Sequence, residues 1–200
     1  MRISIDGNIA SGKSECLEAL HRAFPDLPCF PEPLEHWGDL LEAYYKDKET
    51  WALPFSLKVL LTFKDSNTAT PHCFVERSPL SCKHVFTHML MSEGTMGHRQ
   101  WDVFCEYWDT LGWKPDALIY IDTPAAICID RLRERNRSGE QDVDVQYLRR
   151  IEYAYETMLR QNMDGIPVIR IDGSKSPREV SEAVIRAARD LLSCASVDEV

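Results

Sequence analysis

Eight residues near the start of the chain, Gly7-Asn8-Ile9-Ala10-Ser11-Gly12-Lys13-Ser14, have the types and spacing to hold a polyphosphate. They fit the pattern G-x-x-x-x-G-K-[ST], in which backbone N–H groups converge on an anion. Gly7 and Gly12 accept backbone angles and a closeness of approach that a Cβ would block. Lys13 would reach the β- and γ-phosphates, and the Ser14 hydroxyl would hold Mg²⁺. Arg2 to Asp6 alternates in hydrophobicity as a strand does, and Glu15 to Phe24 puts Leu17, Leu20 and Phe24 on one helical face. The loop therefore lies between a strand and a helix N-terminus, whose dipole favours negative charge. The expected ligand is a nucleoside triphosphate. The loop alone does not say what happens to it.

Further charged residues stand where the predicted strands end. Glu32 ends the second, Glu76 and Arg77 end the third, and Asp122 ends the fourth. Carboxylates beside a phosphate loop either hold Mg²⁺ or take a proton from an attacking hydroxyl. Taken singly, each serves equally well as a helix cap or a solvated loop residue. The segment Arg131 to Glu140 places Arg131, Arg133, Arg135 and Arg137 in an otherwise acidic chain. Arg131/Arg135 and Arg133/Arg137 are like-charge i,i+4 pairs, each destabilising an isolated helix by about 0.2–0.5 kcal/mol. A triphosphate held by guanidinium forks would compensate them, and Gly139 would let the segment hinge as a lid. The alternative is a solvated basic helix end, partly offset by Glu134 and Glu140. Aromatic residues, among them Trp37, Tyr44, Tyr45, Phe55 and Phe86, fall in segments that would cover the strand ends and could enclose a flat base.

These residues need a frame. Pro28 to Pro33 reads as a short edge strand, because Pro31 cannot donate to a ladder. Glu35 to Asp47 and Glu49 to Asn67 read as helices, with Pro54 in the first turn of the second or kinking it. His72 to Arg77 is a strand. Pro79 to Met91 and Arg99 to Leu111 are amphipathic helices. Asp116 to Ile121 is an apolar run typical of a buried parallel strand. Thr123-Pro124 supplies an N-cap with Pro at N1 for a helix to about Arg135. Asp144 to Met163 is helical and Ile166 to Ile171 is the last strand. Ser176 to Glu179 is a capping box opening a final helix to about Leu192. Strands alternating with helices imply an α/β domain with a parallel sheet covered on both faces, binding ligands beyond the carboxyl ends of the strands.

The totals agree with one domain over residues 1–200, with a frayed tail from about 194. The chain has 200 residues, 44% of them hydrophobic and 28% charged. No run approaches the ~20 apolar residues of a membrane span, and no signal-peptide layout precedes the first strand. A net charge of −9 argues against a general nucleic-acid surface. Seven scattered cysteines form no C-x-x-C, which suggests reduced thiols in a cytoplasmic or nuclear compartment.

From Ile3 to about Ile171 the chain resembles the deoxynucleoside kinases, the thymidine kinase 2-like and viral thymidine kinase-like enzymes. The matching motifs are Gly7 to Ser14, Glu32-Pro33 followed by Trp37, Leu40 to Asp47, Trp51-Ala52-Leu53-Pro54-Phe55, Glu76-Arg77-Ser78 and R-x-R-x-R-x-x-E at Arg133 to Glu140. The resemblance implies a five-stranded parallel sheet, an arginine lid at about 133–143, a homodimer, and transfer of the ATP γ-phosphate to the 5′-hydroxyl of a deoxynucleoside with Mg²⁺. By position, it implies Glu32 as general base and Arg77 as the group that orients the hydroxyl and stabilises transition-state charge. Lys13 and the rest of the phosphate loop, with Arg133, Arg135 and Arg137, would hold the phosphates. Ser14 and Glu76 would lie near Mg²⁺, and Tyr45 and Glu140 would hold the 3′-hydroxyl. Phe86 would stack on the base, with Trp37, Tyr44 and Phe55 lining the pocket. One departure matters. The family usually has Gln after the Pro-Phe pair, making paired hydrogen bonds to the base, whereas this chain has Ser56, which cannot copy a bidentate amide. Phe63 and Cys82 stand where purine- and cytidine-favouring members have an Arg/Asp pair, which leans toward thymidine, then deoxycytidine.

Two other readings compete. A thymidylate kinase would share the loop, sheet and lid, but it needs an extra anion site, and Glu32 would repel the acceptor phosphate. A nucleotide-binding module without transfer chemistry would be expected to have lost Lys13, Glu32 or Arg77, and all three are present.

Overall fold

The structure, a computed structural model, describes residues 1–64, 72–137, 140, 143–161 and 165–195. Five strands, β1 (Arg2–Gly7), β2 (Cys29–Phe30), β3 (Cys73–Glu76), β4 (Ala117–Asp122) and β5 (Val168–Asp172), form one sheet in the order β2-β3-β1-β4-β5. Every pairing is parallel. The expected five-stranded α/β architecture is therefore what the chain adopts. β1 is central, and the chain fills positions on one side of it before crossing to the other. Ligand crevices form at such a reversal, beyond the carboxyl ends of the strands. β2 has only two residues because Pro28 and Pro31 flank it, and it sits at the edge.

The helices are α1 (Lys13–Ala23), α2 (Gly38–Lys46), α3 (Lys48–Thr62), α4, α5 (His98–Leu111), α6 (Ala125–Arg135), α7 (Val145–Gln161) and α8 (Pro177–Ala195). α4 comprises three consecutive pieces: Pro79–Ser81, a π-helical stretch Cys82–Thr87, and His88–Ser92. The alternation along β1 and β4 sorts the layers. Ile3, Ile5, Ile119 and Ile121 pack against Leu17 and Leu20 of α1 and Val180 and Val184 of α8. Leu118 and Tyr120 point the other way, onto Cys128 and Ile129 of α6 and Ile151 and Tyr155 of α7. On that second face β1 presents Ser4 and Asp6, both fully buried.

Several local expectations change. The helix expected from Glu35 opens as a 3-10 turn, Leu34–His36, and α2 begins only at Gly38, because Trp37 takes a non-helical φ of −143°. α3 starts at Lys48, with the Asp47 side chain accepting from the Thr50 N–H, so Pro54 lies in its second turn. The helix expected to run to Asn67 instead ends at Thr62, with Phe63 as its C-cap, and residues 65–67 lie outside the described residues. Thr123 does not cap α6. Pro124 takes the cap position, and the Thr123 hydroxyl donates instead to the Ser11 carbonyl at 3.1 Å. The capping box of α8 forms as expected, with Ser176 and Glu179 exchanging side-chain-to-backbone bonds at 3.1 and 3.4 Å. All seven cysteines are free thiols, and burial pushes Cys16, Cys29 and Cys128 up to about 11. No helix among the described residues is long and apolar enough to cross a membrane.

Candidate active site

A cleft of about 680 Å³ opens above the carboxyl ends of the strands. Its floor is the phosphate loop. At Gly7, φ is 151°, and a Cβ there would lie 2.7 Å from both the Ile121 carbonyl oxygen and Ser11 Oγ, so only glycine fits. Gly12 has φ 104° and serves as the N-cap of α1. Ile9 to Ser14 line the cleft, but Asn8 turns away from it. The Asn8 side chain donates to the Leu148 carbonyl of α7 at 2.8 Å and accepts from the Ile9 N–H. Lys13 is buried, and its ammonium donates to the Asn8 carbonyl at 2.7 Å, bending over the loop it serves. Burial, with the nearby Arg77 charge, lowers its pKa from an ordinary 10.5 to about 8. Thr123 and Arg131 both donate to the Ser11 carbonyl and hold the loop from its far side.

Register brings the charged residues together. Ile5 lies opposite Glu76 in the β1–β3 ladder, so Arg77 leaves β3 level with the start of the loop. Arg77 adopts φ 64°, rare for a residue with a side chain and of order 1–3 kcal/mol in cost. Its Nε donates to Glu32 Oε1 at 2.9 Å, and its Nη1 donates to the Gly7 carbonyl at 3.0 Å and to the Tyr155 hydroxyl at 2.6 Å. Burial works against the Arg77 charge, but the oxygens of Tyr155, Glu32, Asp6 and Glu76 outweigh it and push its pKa further up, so it stays a cation. Ser14 Oγ donates to Glu76 Oε1 at 2.9 Å, joining two residues far apart in sequence at the mouth of the loop.

The opposite end of the cleft is aromatic. Tyr44 stacks on Phe55 with ring centroids 5.3 Å apart, and Trp37 packs on the same Phe55 ring at 5.3 Å. Ser56, Phe63 and Cys82 line this end. Phe86, in the π-helical stretch of α4, also lines the cleft and covers the Arg77 guanidinium at 4.7 Å. π-helical turns recur at functional sites, and this one was not legible in the sequence. Tyr147 of α7 lines the cleft too and was missed, because its spacing in α7 reads as ordinary core. Burial, then neighbouring Tyr44 and Tyr45, holds its phenol well above the usual value.

The arginine segment differs from expectation. Arg135 and Arg137 line the cleft, but Arg133 is exposed and does not. The reason is helical phase: Arg131 and Arg135 share the face toward the loop, while Arg133 lies on the other side of α6. Arg131 takes the inner place, bridging the carbonyls of Ser11 and Gly173 at 3.2 and 3.0 Å. Arg135 grips both oxygens of Glu140 at 2.7 Å. The hinge expected at Gly139 lies outside the described residues. Asp122, expected beside the loop, is instead half-exposed and pairs with Arg170 at 3.3 Å, because the β1–β4 ladder ends one residue earlier, at Gly7–Ile121, while Asp122 still pairs with β5.

Comparison with known proteins agrees with this geometry. A family model described as deoxynucleoside kinase matches residues 3–193. A protein of Invertebrate iridescent virus 3, named as a kinase, is 31% identical over 188 residues, covering 92% of this chain and 94% of its own. The deoxycytidine kinase of Mus musculus is 24% identical, covering 96% of this chain and 91% of its own. Among solved structures, a deoxyadenosine kinase from M. mycoides superposes with a TM-score of 0.85 at 19% identity, over 96% of this chain and all of that one, and shares the fold. A phosphate loop, a strand-end Glu-Arg pair and a family match across nearly the whole length lead to one conclusion: the chain belongs to the deoxynucleoside kinase family and is an ATP-dependent kinase of that family.

Proposed function

We propose that this kinase transfers the γ-phosphate of ATP to the 5′-hydroxyl of a pyrimidine deoxynucleoside, thymidine first and deoxycytidine next, in nucleotide salvage. The observation that supports it best is the convergence of Glu32, Arg77, Lys13 and the Ser14–Glu76 pair at one end of a cleft whose other end is aromatic. Phosphoryl transfer asks for positioning and charge stabilisation, and that end supplies both. Glu32 receives the proton of the 5′-hydroxyl. Its Oε1 is held by Arg77, and Oε2, which accepts no bond from a described side chain, is the oxygen assigned to the substrate. Arg77, fixed as a cation, faces the charge that develops on the transferring group. Lys13 exchanges its bond to the Asn8 carbonyl for phosphate oxygens. Tyr45 and Glu140 hold the 3′-hydroxyl, and Arg135 and Arg137 close on the phosphates.

The residues fit a magnesium ion. Ser14 and Glu76 offer two hard oxygens, and Mg²⁺ commonly takes one or two protein ligands, with water and phosphate for the rest. When bound, the ion neutralises charge on the β- and γ-phosphates.

Phe63 and Cys82 support the pyrimidine preference, because both are buried beside the cleft and offer no charged partner to a purine edge. The relatives named as deoxycytidine kinases keep deoxycytidine second. A homodimer is part of the same proposal, supported by the exposed Val103 and Tyr107 on α5. The test is ATP consumption with Mg²⁺ against thymidine, deoxycytidine, deoxyadenosine, deoxyguanosine and thymidine monophosphate in turn. Turnover with thymidine above the others is expected. Turnover with the monophosphate alone would replace this reading by a thymidylate kinase.

A further inference from the structure

The inner face of β1 holds two polar residues where a parallel sheet normally packs apolar ones. Ser4 and Asp6 are both fully buried, and Ser4 Oγ donates to Asp6 Oδ2 at 2.7 Å. The Tyr155 hydroxyl of α7 donates to the other oxygen, Asp6 Oδ1, at 2.9 Å. The same hydroxyl accepts from Arg77 Nη1 at 2.6 Å. Burial is the main cause that keeps the phenol protonated well above its ordinary range; the Arg77 charge opposes it, and the Asp6 charge and hydrogen bond add to it. One Tyr155 oxygen is thus a fixed donor toward Asp6 and a fixed acceptor toward Arg77.

From this chain we infer that Tyr155 is a positioning residue for Arg77, with Asp6 as its anchor. Three points carry the inference, which rests on the reading of Arg77 given above. First, packing does not need the hydroxyl. The ring meets Tyr120 at 5.2 Å and Phe86 at 6.4 Å, contacts that phenylalanine would also make. Second, Arg77 needs outside support, because its backbone is held at φ 64° and its Nε is already engaged by Glu32. Nη1 fixes the remaining rotation of the guanidinium, and its two acceptors are the Gly7 carbonyl and Tyr155. Third, the anchor is rigid. Asp6 lies in the central strand directly before the loop, and α7 is tied to the same loop by the Asn8 bond to the Leu148 carbonyl. An anionic acceptor on the far side of the hydroxyl strengthens its bond from Arg77, as hydrogen bonds in series polarise one another. The position of Arg77 relative to the loop is therefore set by α7 as well as by β3.

The test is a double-mutant cycle in steady-state kinetics with Mg²⁺ and ATP, using Tyr155→Phe, Arg77→Lys and the pair. Tyr155→Phe is expected to lower kcat about ten- to hundredfold, the range for losing a bond to a charged group, with nucleoside KM moving less than about threefold. In the Arg77→Lys background the same change should cost less than about twofold. An equal factor in both backgrounds, or wild-type kcat for Tyr155→Phe, would overturn the inference. If Arg77→Lys itself turned over normally, the role given to Arg77 would fail instead, so the two failures are separable. Should Tyr155→Phe not fold, Asp6→Asn removes the anchoring charge and keeps an acceptor oxygen. Its kcat should fall in the wild-type background and not with Arg77→Lys, and unchanged turnover in the folded variant would overturn the inference.

Discussion

The two ends of the cleft are built on different plans. At the phosphate end most polar groups are already engaged within the chain before any ligand arrives. Arg77 has three partners, Lys13 rests on the Asn8 carbonyl, and Ser14 is bonded to Glu76, with Ser11 Oγ and Ser78 Oγ the buried exceptions among the described residues. At the aromatic end, the proposed nucleoside site, the walls are rings packed on rings, and the buried Trp37 indole N–H has no partner among the described residues. The first end fixes chemistry through a network in which each member sets its neighbour. The second fixes shape, where one side chain can change selectivity with little effect on the rest.

Substitutions should expose that contrast, beginning with the largest effect. Glu32→Gln keeps the size of the side chain and removes the proposed base, so kcat should fall about 10²- to 10⁴-fold while nucleotide binding, followed by calorimetry, stays near wild type. Near-normal turnover would remove Glu32 from the base role. Phe55→Ala at the other end should act on binding instead, raising nucleoside KM about tenfold or more, because two ring contacts are lost, with a smaller change in kcat. If kcat fell more than KM rose, the two ends would not be separable in this way. Ser56→Gln should improve the kcat/KM of the preferred nucleoside over the others by about tenfold, as a bidentate amide replaces a single hydroxyl. An unchanged ranking across the four deoxynucleosides would take Ser56 out of base recognition.

The smallest effect is the dependence of nucleotide affinity on pH. In the free protein Lys13 keeps its proton only below about 8, and a bound polyphosphate raises that value. Binding therefore takes up a proton above pH 8, and affinity should fall by at most about tenfold per unit as pH rises from there. The slope fades through about a pH unit below 8, as the free protein regains the Lys13 proton. Titrations in buffers of different ionisation heat would show the uptake, and a flat profile from pH 7 to 9 would mean that nucleotide binding does not change the protonation of Lys13.

Much of this molecule was legible in its residues. The loop from Gly7 to Ser14 announced itself because its chemistry is local: glycines, a lysine and a hydroxyl at fixed spacing between a strand and a helix. The strand-end positions of Glu32, Glu76 and Arg77 followed from a parallel sheet, and the register of β1 with β3 makes them neighbours. The arginine segment was read less well. Charge counting treated four arginines alike, whereas the phase of α6 turns Arg131 and Arg135 inward and Arg133 outward. Thr123 shows a related limit, since a good capping sequence lost its hydroxyl to a carbonyl on a distant loop.

The sequence by itself determined the phosphate loop, the strand–helix alternation and the chemical types gathered at the strand ends, because short-range spacing and hydrophobic period fix these. Tertiary structure decided what the alternation along β1 was for. Ser4 and Asp6 read as the polar side of an ordinary strand, yet both faces of the central strand are covered, and Tyr155, the partner of Asp6, comes from α7, 149 residues further along the chain. A buried carboxylate must find its donors wherever the fold brings them, and no local pattern names a partner so far away in sequence.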